Sequence, residues 1–157
     1  MFRARRFVLL VPALAILSLG GGCGGGKDQV SADELVQKAD QACQEEQSRF
    51  REIQGTPPAN ASEAADQTKA LVQAAQDASS AMDDLEPPDD LQTPYDAYLE
   101  AREQAIDLMK KGQDAAEDQD SRAYGAAQGA VTKSAPHRKK LADSLGFTVC
   151  SRNAGAA

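Results

Sequence analysis

The chain has few aromatic side chains: they make up 4% of its 157 residues, and tryptophan is absent. Valine and isoleucine are sparse beside alanine. Strands prefer β-branched and aromatic residues, whereas alanine has the best helix propensity, so this shortage argues for helices and against a sheet. It also predicts a thin core of Ala and Leu, for which a covalent staple is a useful supplement. Histidine occurs once, as His137. A di-iron bundle needs paired Glu-x-x-His motifs, and Ser134 stands three residues before His137, so that pattern fails. His137 reads as a surface residue beside Arg138, Lys139 and Lys140. The C-x-x-C-H haem attachment is missing as well. These absences leave no catalytic constellation and no cofactor site, and the expectation is a non-enzymatic protein.

Calcium sites fare no better. Asp118 and Asp120 resemble the start of an EF-hand loop, but Arg122, Ala123 and Gly129 stand where a ligand, a glycine and the terminal glutamate are needed. A second acidic group, Asp83, Asp84, Glu86, Asp89 and Asp90, flanks Pro87 and Pro88 and reads as a solvated turn. No other divalent-metal ligand set is expected.

Long apolar runs are lacking too. The most apolar stretch, "FVLLVPALAIL" from Phe7 to Leu17, has 11 residues. A transmembrane helix needs about 20, but this length suits the h-region of a signal peptide, with Arg3, Arg5 and Arg6 as its basic n-region. Small residues from Ser18 to Gly22 follow, then Cys23. This segment resembles a bacterial lipoprotein lipobox: Gly21 and Gly22 occupy the two small positions, and Cys23 takes the lipid. Gly20 stands where a lipobox usually has Leu, and Leu19 is one place farther away. Ordinary secretory cleavage nearby and an uncleaved anchor are the alternatives. "RRFVLL" hints at twin-arginine export, although the spacing favours the general secretory route. Residues 1–22 are therefore expected to be a lipoprotein signal peptide. Residues 23–30, "CGGGKDQV", are expected to be a lipidated flexible tether, because glycine loses the most backbone freedom on ordering.

The whole chain carries a formal charge of −7. Without the leader arginines, 14 basic residues face 24 acidic ones, a net −10. Such a surface keeps a protein soluble and repels nucleic acid, so no nucleic-acid partner is expected. "RKK", Arg138 to Lys140, suits the negative end of the helix it sits on and offers at most weak headgroup contact.

Cysteine is scarce and odd in number: Cys23, Cys43 and Cys150. An odd count in a secreted chain calls for an explanation. Lipid on Cys23 supplies it and leaves Cys43 and Cys150 to form a disulfide outside the cytoplasm. Metal binding by the pair is a poor alternative, since no further ligand has suitable spacing. Closing a loop of about 107 residues is worth on the order of 4–5 kcal/mol by loop entropy. That is a large share of a small domain's margin of about 5–15 kcal/mol.

Four amphipathic segments are legible. The first opens at Ser31, with Glu34 placed for a capping box. Its stripe runs Val36, Ala39, Cys43, Glu46, Phe50 and Ile53, with Glu46 the one polar interruption. Gly55 and Thr56 to Pro58 end it. Asn60 caps the second, whose stripe is Ala64, Thr68, Leu71, Ala75, Ala78, Met82 and Leu85, and Glu86 to Asp90 breaks it. Thr93 is the expected N-cap of the third, with Pro94 at its first position. There Tyr95, Tyr98, Leu99, Ala105, Ile106, Leu108 and Met109 face inward. "EDQDS", Glu117 to Ser121, opens the fourth, with Ala123, Ala127, Ala130, Ser134, Leu141 and Leu145 on one side. Pro136 should kink it, and Gly146 should end it.

Segments of about 20–28 residues, each about 35 Å long, with short connections favour an all-α, up-down-up-down four-helix bundle over residues 31–150. Residues 151–157 are expected to be a disordered tail. Cys43 lies about 18 Å along the first helix, and "GFTVC" extended reaches about 17 Å. The tail should therefore fold back along the first helix, burying Phe147 and Val149 and bringing the two Cα atoms within about 7 Å.

This arrangement resembles the small secreted four-helix lipoproteins of high-GC Gram-positive bacteria. The leader carries the resemblance, together with "QKADQACQE", "LEPPDDL", "EDQDSRAYGAA" and "LADSLGFTVCS", and above all their order and the two Cys positions. It implies the fold and an extracytoplasmic, lipid-anchored location, but no established activity. The expected role is an envelope binding or scaffolding module with a protein partner. A small-ligand or divalent-cation-binding lipoprotein is the alternative.

Overall fold

The computed structural model describes residues 28–153. The leader 1–22, Cys23 with most of the tether, and residues 154–157 lie outside the described residues. The described chain is built from four long helices and one short one: α1 Ala32–Ile53, α2 Ala61–Asp83, α3 Asp89–Glu117, α4 Ser121–Ser144 and α5 Thr148–Asn153.

The helices begin where the chain supplies acceptors for their orphaned N–H groups. At α1, Ser31 accepts from the Glu34 backbone and Glu34 reaches back to the Ser31 backbone, completing the capping box. Asn60 accepts from the Glu63 N–H at α2. At α4, Asp120 accepts from both Arg122 and Ala123. The third helix departs from expectation. It starts at Asp89, behind Pro88, and has no side-chain cap hydrogen bond, so Thr93 is not an N-cap and Pro94 lies inside the helix. Asp89 and Asp90 in the first turn compensate, since carboxylates there oppose the positive helix end.

Two helices end in the same way. After α4, Phe147 N–H bonds to Ala142 O at 2.9 Å and Gly146 N–H to Asp143 O at 3.2 Å, with Gly146 at φ +78°. After α3, Asp120 N–H bonds to Ala115 O at 2.8 Å and Gln119 N–H to Ala116 O at 3.1 Å. Both pairs form the Schellman pattern, which needs a left-handed residue. Gln119 fills that position at φ 59° without being glycine.

The packing runs α1 on α2, α2 on α3 and α3 on α4, while α5 lies against both α1 and α4. The tail thus completes the bundle. Phe147, fully buried, stands edge-on to Tyr98 with ring centroids 5.5 Å apart and to Tyr95 at 6.2 Å. Val149 is half-buried. The tail is not extended, however. Thr148 turns into a helix that continues through Ser151 to Asn153, where disorder was expected from 151 onward. Its N-terminus is held by Asp40 of α1. One Asp40 oxygen accepts from Thr148 N–H and the Thr148 hydroxyl, and the other accepts from Val149 and Cys150 N–H at 2.8 and 3.1 Å. A difference also appears at the other terminus. Gln29 and Val30 are not part of a free tether: Val30 N–H bonds to Glu86 O at 2.9 Å, and the Gln29 side chain donates to Pro87 O and Asp89.

The core falls into two apolar layers. One gathers Leu35, Ala39, Met82, Tyr95, Tyr98, Leu145 and Phe147 around the cysteines. The other joins Phe50, Leu71, Val72, Ala75 and Ile106. The inward stripes read from the chain are largely right for α1 to α3. On α4 the buried face is rotated: Val131, Ala135, Arg138 and Ala142 are buried, and Ala123 is exposed.

Candidate functional site

Cys43 and Cys150 are joined by a disulfide, with their Cα atoms 5.2 Å apart. This is the pairing expected from the sequence. Asp40 lies one helical turn before Cys43 and caps the helix that carries Cys150, so the covalent staple and the polar one share a single patch of α1. Cys23 lies outside the described residues.

A polar layer separates the two apolar ones just beyond the disulfide. Arg102 on α3 is 8% exposed, and its Nη2 donates to Glu46 of α1 at 3.0 Å. Its Nη1 approaches the Cys43 sulfur at 3.9 Å, and its guanidinium carbon is 6.0 Å from the Tyr98 ring centroid. The Tyr98 hydroxyl is 3.7 Å from the same sulfur. Arg138 on α4, 9% exposed, donates to Ser134 one turn earlier on its own helix. One donor in this layer is left over: the buried Nε of Arg102 has no hydrogen-bond partner.

The helices position these groups by simple register. Glu46 lies between Cys43 and Phe50 at three- and four-residue steps, Arg102 between Tyr98 and Ala105, and Arg138 between Ala135 and Ala142. Each is a charged residue in an otherwise apolar stripe. Electrostatics follow from their proximity. Burial pulls the Arg102 guanidinium down, but the Glu46 charge and Tyr98 outweigh it and hold the group above the ordinary arginine value. Burial, together with the charge of Arg102, lowers Arg138. Burial raises the Tyr98 hydroxyl, and Arg102 partly offsets this.

These groups line a cleft of about 60 Å³, partly open to solvent, that runs from the disulfide into the second apolar layer. Cys43, Glu46, Tyr98, Arg102, Arg138 and Cys150 form its polar end. Phe50, Ala75, Ile106, Met109 and Val131 form its apolar end. Chemically, the cleft offers hydrogen-bond donors and positive charge at one end and hydrocarbon at the other.

Arg138 is the clearest correction to the sequence reading, since it is buried in the bundle and not on the surface beside His137. Lys139 instead pairs with Asp143 at 2.7 Å on the outside. His137 is exposed. The acidic turn at Asp83 to Asp90 is partly engaged by Gln29. Among the described residues, no group of three His, Cys, Asp or Glu side chains is placed to hold a metal ion. Among them, too, no helix is long and apolar enough to cross a membrane. Arg102 was missed by sequence reasoning, although Glu46 signalled it: a carboxylate in a buried stripe needs a cation opposite. No protein-family model, curated protein or solved structure matches the chain.

Proposed function

We propose that the chain is a non-enzymatic, extracytoplasmic lipoprotein. In this reading it is anchored to the cell membrane by lipid on Cys23 and presents an up-down-up-down helical bundle as an envelope binding or scaffolding module. The cysteine count carries the reading. Of three cysteines, two are joined across the domain, and the third sits directly after the apolar leader. A disulfide between distant segments belongs in an oxidising compartment. Alternating helix direction is supported by contacts such as Arg49 with Asp77 and Gln67 with the carbonyls of Ile53 and Thr56, which set the end of α1 beside the start of α2. Mass spectrometry of the mature protein from its native envelope tests the anchor. The expected species begins at Cys23, carries a diacylglyceryl mass and lacks free thiols at Cys43 and Cys150. A mature chain starting elsewhere, with Cys23 absent or unmodified, overturns it.

The runner-up reading is a small-ligand-binding lipoprotein, with the cleft beside the disulfide as a candidate site. Its volume of about 60 Å³ is well below the roughly 300–1,000 Å³ usual for ligand pockets and admits at most a very small molecule. The lining guanidinium groups repel cations, so they count against a divalent ion there.

A further inference from the structure

We propose that the outward face of α4 docks against the same face of a second copy of this chain. The two helices run antiparallel and cross at Gly125 and Gly129, so that Lys133 of each copy meets Asp118 and Asp120 of the other. The proposal goes beyond the reading of the domain as a binding module and depends neither on that reading nor on the anchor.

The distribution of charge carries it. The chain is acidic overall, and α1, α2 and α3 each hold more acidic than basic residues. The exception is α4, with five cations against one carboxylate, Asp143. Asp143 is paired with Lys139, and Arg138 is buried, but Lys133 and Lys140 are exposed and in no ion pair among the described residues. The charges are also segregated along the chain. Glu117, Asp118 and Asp120 precede the helix, residues 123–132 are uncharged and mostly small, and the basic residues from Lys133 to Lys140 follow. Arg122 is the one cation at the acidic end. Such an order is complementary to itself when reversed, and a two-fold interface uses one patch on both copies in that way. The register follows from the helical rise. Lys133 lies about 9 Å beyond the midpoint of Gly125 and Gly129, and Asp120 lies about 10.5 Å before it. Antiparallel helices crossing at that midpoint therefore bring these residues level on both sides of the axis. Gly125, Gly129, Lys133 and Lys140 share an arc of about 80°, opposite the buried line through Val131 and Ala135. A Cβ added at either glycine would meet nothing within 4 Å, so nothing in the bundle requires them to be bare. Each weakens the helix relative to alanine, but a bare backbone admits a second helix at the near end of the usual separation of about 8–10 Å. An anionic lipid surface would use the cations alone, and Glu117, Asp118 and Asp120 beside them would repel it.

The test uses the full-length, disulfide-bonded chain in non-ionic detergent, as an equal mixture of unlabelled and ¹⁵N-labelled protein. A carbodiimide joins an amine to a carboxylate only where they touch, and mass spectrometry of mixed-isotope peptides identifies links between copies. The expected product joins Lys133 of one copy to Asp118 or Asp120 of the other. Sedimentation equilibrium should show a monomer–dimer equilibrium. Lys133→Glu should raise its dissociation constant about tenfold or more, because the pair on each side of the axis becomes repulsive. Adding Asp118→Lys should recover about threefold or more of that loss. Gly129→Leu should abolish the dimer without lowering the thermal midpoint of the monomer, since that position faces open space. The cross-link and the charge swap decide the matter even if Gly129→Leu fails to fold. The proposal is overturned by a chain that stays monomeric, whether or not Lys133 and Lys140 hold it to phosphatidylglycerol vesicles. A dimer indifferent to all these substitutions, held by the leader common to every variant, overturns it as well, and so do cross-links confined to other residues.

Discussion

Arg102 and Glu46 are the residues whose chemistry is least forgiving. Their side chains are 10% and 15% exposed, so neither charge is well solvated, and each depends on the other. Removing one partner of a buried pair costs about 3–5 kcal/mol, because it strands the remaining charge. Replacing both with apolar side chains of similar volume is often neutral or stabilising. Arg102→Met alone is therefore expected to lower stability by about 3 kcal/mol or more, and Arg102→Met with Glu46→Leu to recover most of that loss. Urea melts of the two variants check it; a double variant no more stable than Arg102→Met would contradict the expected recovery. Gln119 offers a gain instead. A non-glycine residue in the left-handed region is penalised by contact between Cβ and the carbonyl oxygen, by about 1 kcal/mol. Gln119→Gly should raise stability by up to about that amount, as measured by thermal unfolding.

At the scale of the element, α5 is too short to be stable alone. Helices below about 12 residues are marginal in water. It exists because three other parts of the chain hold it: the Asp40 carboxylate, the disulfide, and the slot between Tyr95 and Tyr98 that receives Phe147. Asp40 satisfies three N–H groups at once, and charged caps of this kind are worth more than neutral ones. Asp40→Ala should destabilise the domain by about 2 kcal/mol. Amide exchange at Thr148 to Cys150 should accelerate, with the disulfide intact. Unchanged exchange there would assign the stability of α5 to the covalent link alone. This element was half legible. The Cys spacing required the tail to return to α1, and Phe147 and Val149 marked its buried side. That the tail would be helical was not legible, since Asp40 lies more than one hundred residues away and gives no local signal. The start of α3 was misread for a related reason. Thr93-Pro94 has the local chemistry of a helix start, but the helix gains another turn by beginning at Asp89 against the docked Gln29.

For the whole molecule, the balance of shifted groups defines a pH window. Glu34, Asp77 and Asp143 all lie below the usual carboxylate range. The Ser31 backbone N–H is the main cause for Glu34, Gln73 for Asp77 and Lys139 for Asp143. A carboxyl depressed by folding contributes stability above its unfolded value of about 4 and loses it as pH falls through the folded value. Tyr95 and Tyr98 lie above the usual phenol value, chiefly through burial. A phenol raised by folding contributes fully below about pH 10 and loses that contribution as pH rises toward its folded value. Thermal stability should therefore be flat across neutral pH, falling below about pH 4 and above about pH 10. Melting curves across that range check it; a step near pH 6 to 7 would contradict it.

The amino-acid sequence by itself determined the helical class, three of the four long-helix starts and the glycine stop after α4, and it pointed to the Cys43–Cys150 pairing once Cys23 is set aside for the leader. These are properties of neighbours in the chain, set by capping, periodicity and parity, and they need no knowledge of what lies across the bundle. Only the tertiary structure decided which face of α4 is buried, that Arg138 lies inside and that Arg102 meets Glu46 beside the disulfide. Those outcomes depend on the rotation and axial register of one helix against another. A rotation of one residue's worth moves a side chain through about 100°. The small alanines of α4 tolerate several rotations almost equally well, so its local pattern leaves the choice open, and packing against α3 and α5 makes it.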